Sequence, residues 1–241
     1  MVQYELMIQA FLIFISLFIL MPSIGAQEAS VPQQETAVPA ASQAAALPKA
    51  PFPKKPAPPP PDELVIADFD TGDKPNNING DFGTWDKDPN DETQFAHMTF
   101  EPEDALGDKT GYSVRIEYDV DSPNPAYNGL WMNLNMQNAT PYRFLNFYLK
   151  GDRETNFTRQ LKIELKDRAH LSSPYILTGV TDQWKKFTLP LKKFSKLRDW
   201  TGLAEFVLVF DDLNANPKTG AIYLDQVTLT KVKDNLSPKK K

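Results

Sequence analysis

Cysteine is absent from this chain, and histidine is rare. Without cysteine the protein cannot form disulfide bonds, hold cysteine-ligated zinc or be anchored as a lipoprotein. The two histidines, His97 and His170, lie far apart in the sequence. The sequence also lacks a serine nucleophile elbow, a phosphate-binding loop and a metalloprotease motif. A pair of carboxylates at glycosidase spacing arises by chance among 31 acidic residues, so we expect a protein without enzymatic activity.

Positive charge is also scarce. The chain has 26 lysines and arginines against 31 acidic residues, which gives a net charge of −5. Several lysines fall near the two ends, so the middle of the chain is more acidic still, and nucleic acid is a poor candidate partner. Residues 62–108 contain many acids and only two lysines, Lys74 and Lys87. This imbalance predicts a bound cation or neutralisation by the basic segment 150–198.

The longest apolar run, residues 10–21, is too short to span a bilayer comfortably and is typical of a signal peptide. It ends at Pro22, and the small residues that follow predict cleavage after Ala26 and an exported protein, periplasmic or secreted. No lysine or arginine precedes the run, although signal peptides normally begin with positive charge. The uncharged stretch 6–27 is long enough for an uncleaved anchor in the inner membrane, and this alternative stays open.

Two further segments lack the composition of a folded core. Residues 27–61 are rich in alanine and proline, which predicts an extended linker that holds the domain away from a membrane or wall. Disordered filler and a proline-rich recognition ligand are the other interpretations. Residues 234–241 end in three lysines and are predicted to form a disordered basic tail.

The remaining residues, 62–233, show no apolar stripe at helical spacing that lasts for three turns. Short alternating or apolar runs recur instead, separated by glycine, proline, asparagine and aspartate, and such runs are typical of β-strands. Nine of them predict an all-β domain, an antiparallel sandwich or barrel. The runs are ELVIADFD, YSVRIEYDV, GLWMNLNM, RFLNFYLKG, QLKIELKD, YILTGV, WKKFTLPL, EFVLVF and AIYLDQVTLT.

Alternation within these runs assigns side chains to faces, because successive side chains of a strand point to opposite sides. In GLWMNLNM, Leu130 and Met132 are predicted to face the core and Trp131 to face outward. In RFLNFYLKG, Phe147 faces the core and Tyr148 faces outward. In QLKIELKD, the charged side chains are predicted to face outward: Lys162, Glu164 and Lys166. The outward positions of the first two runs, with the preceding tyrosine, mix aromatic rings and amides: Tyr127, Trp131, Asn133, Asn135, Asn146 and Tyr148. Such a mixture suits sugars, whose C–H faces stack on rings and whose hydroxyls bond amides.

Five of these segments, in this order, resemble signatures of the family 11 carbohydrate-binding modules and of the wider galactose-binding-like jelly rolls. They are IADFDTGD, NGLWMNLN, FLNFYLKGD, DQWKKFTLPLKKF and EFVLVFDD with KTGAIYLDQVTL. The resemblance covers about 170 residues and implies a jelly-roll β-sandwich that binds a polysaccharide or oligosaccharide without cleaving it. It adds contacts after QLKIELKD, on the segment near residue 200, and at the family's sugar-stacking tyrosine: Asp167, Arg168, His170, Arg198, Trp200 and Phe210. Phenylalanine at the last position can stack on a sugar but cannot donate a hydrogen bond.

The resemblance also implies a structural calcium ion, with Asp68, Asp70 and Asp225 at the family's acidic positions. Calcium takes six to eight oxygen ligands, so several carboxylates must converge. The first and last strands of a sandwich commonly pair, which would bring these three residues together. The competing interpretation is an acidic loop in solvent.

An exported module for protein–protein interaction or assembly, with the same fold and no sugar ligand, is the alternative function. Its exposed aromatic residues would then be an interface hot spot. A concave strip flanked by aromatic rings would indicate sugar, whereas a flat apolar patch would indicate a protein partner.

Overall fold

The computed structural model describes residues 58–107 and 110–232. The chain divides into two units, 1–55 and 56–241, and all described residues belong to the second. The predicted signal peptide, most of the linker and the basic tail therefore lie outside the described residues. Within them, no helix has the length and apolar character needed to cross a membrane.

The described residues form eleven strands and one turn of 3₁₀ helix. In chain order these are β1 (Glu63–Ala67), β2 (Phe82–Asp86), β3 (Phe95–Glu101), β4 (Ser113–Asp119), β5 (Tyr127–Gln137), β6 (Phe144–Gly151), β7 (Gln160–Asp167), β8 (Ser172–Thr178), β9 (Lys185–Pro190), the 3₁₀ turn (Leu191–Lys193), β10 (Leu203–Asp211) and β11 (Thr219–Thr230). All nine predicted strands are present. β2 and β3 were missed, because glycine interrupts the first and the second alternates irregularly.

Two sheets pack face to face, and the predicted antiparallel β-sandwich is confirmed. The first sheet has the order β3-β4-β11-β6-β9, with β1 also paired to β11. The second sheet has the order β2-β5-β10-β7-β8. Every pairing is antiparallel. Leucine, isoleucine and phenylalanine side chains from alternate positions of both sheets fill the space between them.

β11 organises the first sheet. Along one side it pairs with β6. Along the other, its first half pairs with β4 and its last residues pair with β1. The register with β6 shifts between Asp225 and Thr228, and Gln226 has a φ of 52°. This bulge places Asp225 where β1 and β4 meet along β11, close to the chain that leaves β1 after Ala67.

Candidate functional site

A cleft of about 590 Å³ lies on the outer face of the second sheet. We call it the aromatic cleft. Three aromatic residues on β2 and β5 form one wall, and the side chains of β10 and β7 form the floor. The lining residues are Trp85, Pro125, Tyr127, Trp131, Lys162, Glu164, Lys166, Glu205, Val207, Val209, Asp211, Asp212, Leu213 and Asn214.

Strand register brings the three rings to one face. Residues directly opposite each other on paired strands share a face. Trp131 lies opposite Val207, and Tyr127 lies opposite Asp211. Trp85 on β2 lies opposite Gly129, and Gly129 in turn lies opposite Val209. The aromatic wall and the valine floor are therefore consecutive rows of one sheet surface.

Gly129 allows β5 to lie close to β10 at the base of the aromatic wall. It has a φ of +155°, and a Cβ at this position would lie 1.9 Å from the carbonyl oxygen of Leu208 on β10. Any other residue would push β5 away from β10 or change the backbone, so only glycine fits. The close pairing of β5 with β10 beneath the cleft therefore depends on this glycine.

Neighbouring groups hold the aromatic wall in place. The rings of Trp85 and Tyr127 lie 5.7 Å apart at an angle of 62°, an edge-to-face contact. Lys87 lies with its Nζ 5.4 Å from the centre of the Tyr127 ring, and this amine donates a hydrogen bond of 2.8 Å to the carbonyl of Pro125. The Tyr127 side chain remains 41% exposed, so its ring is both positioned and accessible.

Paired charges cover the floor on the β7 side. Lys166 Nζ lies 2.6 Å from Glu205 Oε2, and Lys162 Nζ lies 3.4 Å from Asp211 Oδ2. The hydroxyl of Ser172 donates to Glu164 at 2.8 Å. Each of these side chains keeps further donors or acceptors that can bond sugar hydroxyls. With Asp212, the cleft holds four acidic residues and two lysines, so its field is negative.

A loop after β10 forms the rim at one end of the cleft, where Asp212 bonds the backbone of Ala126 beside Tyr127. The carboxylate of Asp211 accepts hydrogen bonds from the backbone N–H of Leu213 at 3.1 Å and of Asn214 at 2.8 Å. These bonds turn the chain sharply and direct Leu213 outward, where its side chain is 90% exposed. An apolar side chain with this exposure beside a cleft is available to cover the ring of a ligand.

Two of the predicted sugar contacts, Tyr127 and Trp131, line the aromatic cleft. Asn133 follows them on the same face, but its Oδ1 accepts from the backbone N–H of Asn135 at 2.7 Å. Asn135 Nδ2 donates to the carbonyl of Ile78 at 2.7 Å, and neither residue lines the cleft. These amides tie the end of β5 to the loop before β2.

The prediction that Asn146 and Tyr148 share a surface with Trp131 is wrong. β5 belongs to the second sheet and β6 to the first, so their outer faces lie on opposite sides of the sandwich. Asn146 is 1% exposed and donates to the hydroxyl of Thr230 at 3.1 Å. Alternation within each strand was predicted correctly, but it does not reveal to which sheet a strand belongs.

The prediction that Phe210 stacks on a sugar is also wrong. Phe210 is completely buried, and its ring stacks on Tyr118 at 3.9 Å between ring centres. Along β10 the core positions are Phe206, Leu208 and Phe210, whereas Val207 and Val209 face the cleft. A ligand outside the sandwich cannot reach the phenylalanine.

The remaining predicted contacts lie away from the aromatic cleft. Asp167 is buried and accepts from the backbone N–H of Ala169 at 2.9 Å, which closes the β7–β8 hairpin. In that hairpin, His170 is exposed and Arg168 pairs with Asp199 at 2.8 Å. Arg198 is exposed, and Trp200 lines a different hollow. These predicted sugar contacts therefore lie at separate places on the domain and do not form one site with Trp131.

The first and last strands pair, as predicted, and this pairing brings the chain that follows β1 close to Asp225. Ala67 at the end of β1 lies opposite Val227, so Asp68 and Asp70 leave β1 beside Asp225. Burial, together with the nearby carboxylates of Asp70 and Asp68, raises the pKa of Asp225 to about 6, although hydrogen bonds from two backbone N–H groups act against this rise.

This acidic cluster fits a calcium ion only in part. The Asp225 carboxylate already accepts backbone N–H groups from Leu106 at 2.9 Å and from Gln226 at 2.6 Å. Across residues 58–107 and 110–232, no three histidine, aspartate or glutamate side chains are grouped closely enough to hold a metal ion. A bound ion would need the Asp68 and Asp70 side chains to move toward Asp225.

Sequence reasoning missed Trp85 and the charged floor. Trp85 lies in β2, whose five residues FGTWD include glycine and give little strand signal. Lys162, Glu164 and Lys166 were predicted to face outward, but their place beside Trp131 depends on β10 lying between β5 and β7. Sheet order of this kind joins strands distant in sequence and cannot be derived from alternation alone.

The folded domain is similar to solved carbohydrate-binding modules. The family 11 module of the cellulosomal cellulase Lic26A-Cel5E of Clostridium thermocellum is 16% identical, with a TM-score of 0.50 over 70% of this chain and 95% of the module. A family 11 module from the same organism, in complex with a β-1,3-1,4-mixed-linked tetrasaccharide, is 15% identical with a TM-score of 0.50, over 70% of this chain and 96% of that one. An exo-β-agarase matches at 9% identity and a TM-score of 0.52, over 70% of this chain and 25% of the enzyme. At these identities the similarity shows the fold alone.

No curated protein sequence matches the chain. The family model for carbohydrate binding domain 30, in contrast, matches residues 76–231, from the loop before β2 to the end of β11. The match includes every residue that lines the aromatic cleft. The chain belongs to the carbohydrate binding domain 30 family.

Proposed function

We propose that the aromatic cleft binds a segment of a polysaccharide chain without cleaving it. The observation that carries this proposal is the combination of Trp85, Tyr127 and Trp131 with an apolar floor and a row of hydrogen-bonding side chains in one cleft. Pyranose rings present apolar C–H faces that stack on aromatic rings, and their hydroxyls both donate and accept. Membership of a carbohydrate-binding family supports the same function.

The shape of the cleft favours a sugar chain over a protein partner. The surface is concave, and the three rings stand at one side of it rather than forming a flat apolar patch. The floor carboxylates of Glu205 and Asp211 are engaged by lysines, and Glu164 accepts from Ser172. Groups held in this way suit binding of hydroxyls better than protonation of a glycosidic oxygen, which needs a free acid paired with a second carboxylate.

The proposal is tested by electrophoresis of the purified domain in gels that contain soluble polysaccharides. A mixed-linkage β-1,3-1,4-glucan is the first ligand to use, because a family 11 module of the same fold was solved with a tetrasaccharide of that linkage. We expect retardation by at least one neutral polysaccharide and no release of reducing ends on long incubation. Co-purification of a protein partner, with no retardation by any glycan, would support the interaction-module alternative instead.

We also propose that calcium binds at the acidic cluster of Asp68, Asp70 and Asp225. The support is electrostatic: a buried carboxylate with a raised pKa lies beside two more carboxylates, and a cation would relieve their mutual repulsion. These three residues would hold the ion, which would join the end of β1 to the bulge of β11. Its role would be structural, because the cluster lies on the first sheet and the aromatic cleft on the second.

A further inference from the structure

A second hollow, of about 550 Å³, lies at the edge of the first sheet and is nearly as large as the aromatic cleft. We call it the Trp200 pocket. The chain between β5 and β6 forms one side and contributes Tyr142 and Arg143. The end of β9 and the 3₁₀ turn form the other side with Leu191 and Lys192, and Trp200 completes the wall.

Trp200 is held on both sides by bonds to its neighbours. Its carbonyl accepts a hydrogen bond of 2.8 Å from the backbone N–H of Ala139. Arg168 binds the residue before it, Asp199, at 2.8 Å, and the residue after it, Thr201, at 2.8 Å. The segment that carries the ring is therefore fixed before any ligand arrives, which reduces the entropy cost of binding.

The rim of the Trp200 pocket carries positive charge that the described part of the chain does not neutralise. Arg143 and Lys192 are exposed, and neither forms an ion pair within residues 58–107 and 110–232. Both lysines of the aromatic cleft, in contrast, contact carboxylates.

The Tyr142 hydroxyl adds a polar group to the apolar wall. The side chain is 3% exposed, and its hydroxyl makes no hydrogen bond to another described residue. The hydroxyl can therefore bond a ligand that enters the pocket.

We propose that the Trp200 pocket is a second sugar site, which binds the uronic acid residues of an acidic polysaccharide. The indole of Trp200 stacks on the pyranose ring, and Arg143 and Lys192 pair with its carboxylate. Arginine matches a planar carboxylate through two parallel hydrogen bonds. The negative field of the aromatic cleft repels such a chain, so the two sites take different ligands. The Trp200 pocket and the aromatic cleft share no lining residue.

Polygalacturonate is the probe, used with the full chain in EDTA so that calcium does not gel the polymer. We expect retardation in affinity gels that weakens strongly between 20 and 300 mM salt, since surface ion pairs are screened over about 10 Å at 0.1 M salt. The double variant Arg143→Gln/Lys192→Gln should lose about tenfold or more in affinity, together with most of this salt dependence. Both side chains are exposed, so this variant keeps the fold.

Two further variants locate the site. Trp200→Ala should also weaken binding about tenfold, with the melting temperature reported alongside, whereas Trp131→Ala should leave polygalacturonate binding unchanged. Absence of binding by the wild-type chain, or full binding by the double variant, would overturn the inference. So would retardation by dextran sulfate but not polygalacturonate, or equal binding to phosphatidylglycerol vesicles. Loss of neutral-glycan binding in Trp131→Ala tests the aromatic cleft separately.

Discussion

Trp131 projects from the centre of β5 into the aromatic cleft while its neighbours Leu130 and Met132 are buried. We predict that Trp131→Ala lowers affinity for a neutral glycan about tenfold to a hundredfold. Removing one stacked ring costs on the order of 1–3 kcal/mol, and each 1.4 kcal/mol is a factor of ten. Isothermal titration calorimetry of the wild type and the variant with the same glycan measures the change in affinity.

Tyr148→Ala is the matched control, because Tyr148 lies on the outer face of the opposite sheet. We expect this variant to bind as the wild type does. A folded Trp131→Ala domain with full affinity, or an equal loss in Tyr148→Ala, would contradict the assignment of the cleft.

Phe210 illustrates the opposite environment on the neighbouring strand. Because its ring is buried against Tyr118, we predict that Phe210→Ala destabilises the domain by about 3–5 kcal/mol, the usual cost of deleting a core phenylalanine. Urea unfolding measures the free energy of unfolding. At temperatures where the variant remains folded, its glycan affinity should be close to that of the wild type. If Phe210→Ala instead lost much of its glycan affinity with an unchanged free energy of unfolding, Phe210 would be a ligand-binding residue.

The loop after β10 is the element that forms the free rim of the cleft. We predict that Leu213→Ser lowers glycan affinity by up to about tenfold, since covering a leucine side chain contributes about 1.5–3 kcal/mol when complete. The melting temperature should not change, because Leu213 is 90% exposed. Ile176→Ser is the control, as Ile176 is exposed on β8 of the same sheet but does not line the cleft. If Leu213→Ser and Ile176→Ser bound the glycan with equal affinity, Leu213 would not contact the ligand.

The junction of β1 with the bulge of β11 carries the calcium prediction. A ligand at a hundredfold excess over its Kd stabilises the folded state by about 2.7 kcal/mol. For a domain of this size, we therefore expect melting to rise by roughly 5–10 °C from EDTA to millimolar calcium. Asp225→Asn should abolish the rise, and Asp73→Asn, an exposed acid in the same loop region, should not. Identical melting in EDTA and in calcium would rule out the ion.

At the same junction, we predict that the free energy of unfolding depends on pH when calcium is absent. The pKa of Asp225 is raised to about 6, so the protonated carboxyl favours the folded state. This contribution is complete below the unfolded-state pKa of about 4 and is lost as the pH rises through 6. The difference between the folded-state and unfolded-state pKa values corresponds to at most roughly 3 kcal/mol of stability. Asp225→Asn should not lose this stability between pH 4 and 7 when urea unfolding is measured in EDTA. If the free energy of unfolding declined equally in the wild type and the variant, the pH dependence would not belong to Asp225.

At the scale of the whole chain, export remains a prediction from residues 1–26, which lie outside the described residues. We expect the protein from its native host to begin at Gln27, because the apolar run ends at Pro22 and small residues follow it. Mass spectrometry of the mature chain tests this. An intact N-terminus in the membrane fraction would support an uncleaved anchor instead.

The sandwich separates surfaces that are adjacent in sequence. β5 and β6 follow one another along the chain but lie in different sheets, so residues 131 and 148 face opposite directions. Conversely, β10 enters the second sheet between β5 and β7, and it brings Trp131 and Glu164 to the same cleft. The binding surface is therefore assembled from strands that are far apart in the chain.

Local periodicity in the amino-acid sequence was enough to predict several features of the fold. Alternation identified nine of the eleven strands, the sandwich class, and the inward or outward direction of Trp131 and Lys162. It also indicated that the first and last strands pair, which brings the segment after β1 close to Asp225. These properties need only the geometry of one strand or one pair of strands.

Which outward faces lie together depends on the three-dimensional fold. It removed Asn146 and Phe210 from the candidate site, added Trp85 and the charged floor, and placed Trp200 in a pocket of its own. The order of strands in a sheet is determined by how the two layers bury their apolar faces together, and many orders satisfy the same alternating pattern. A binding surface that crosses four strands follows from that order and not from any one segment.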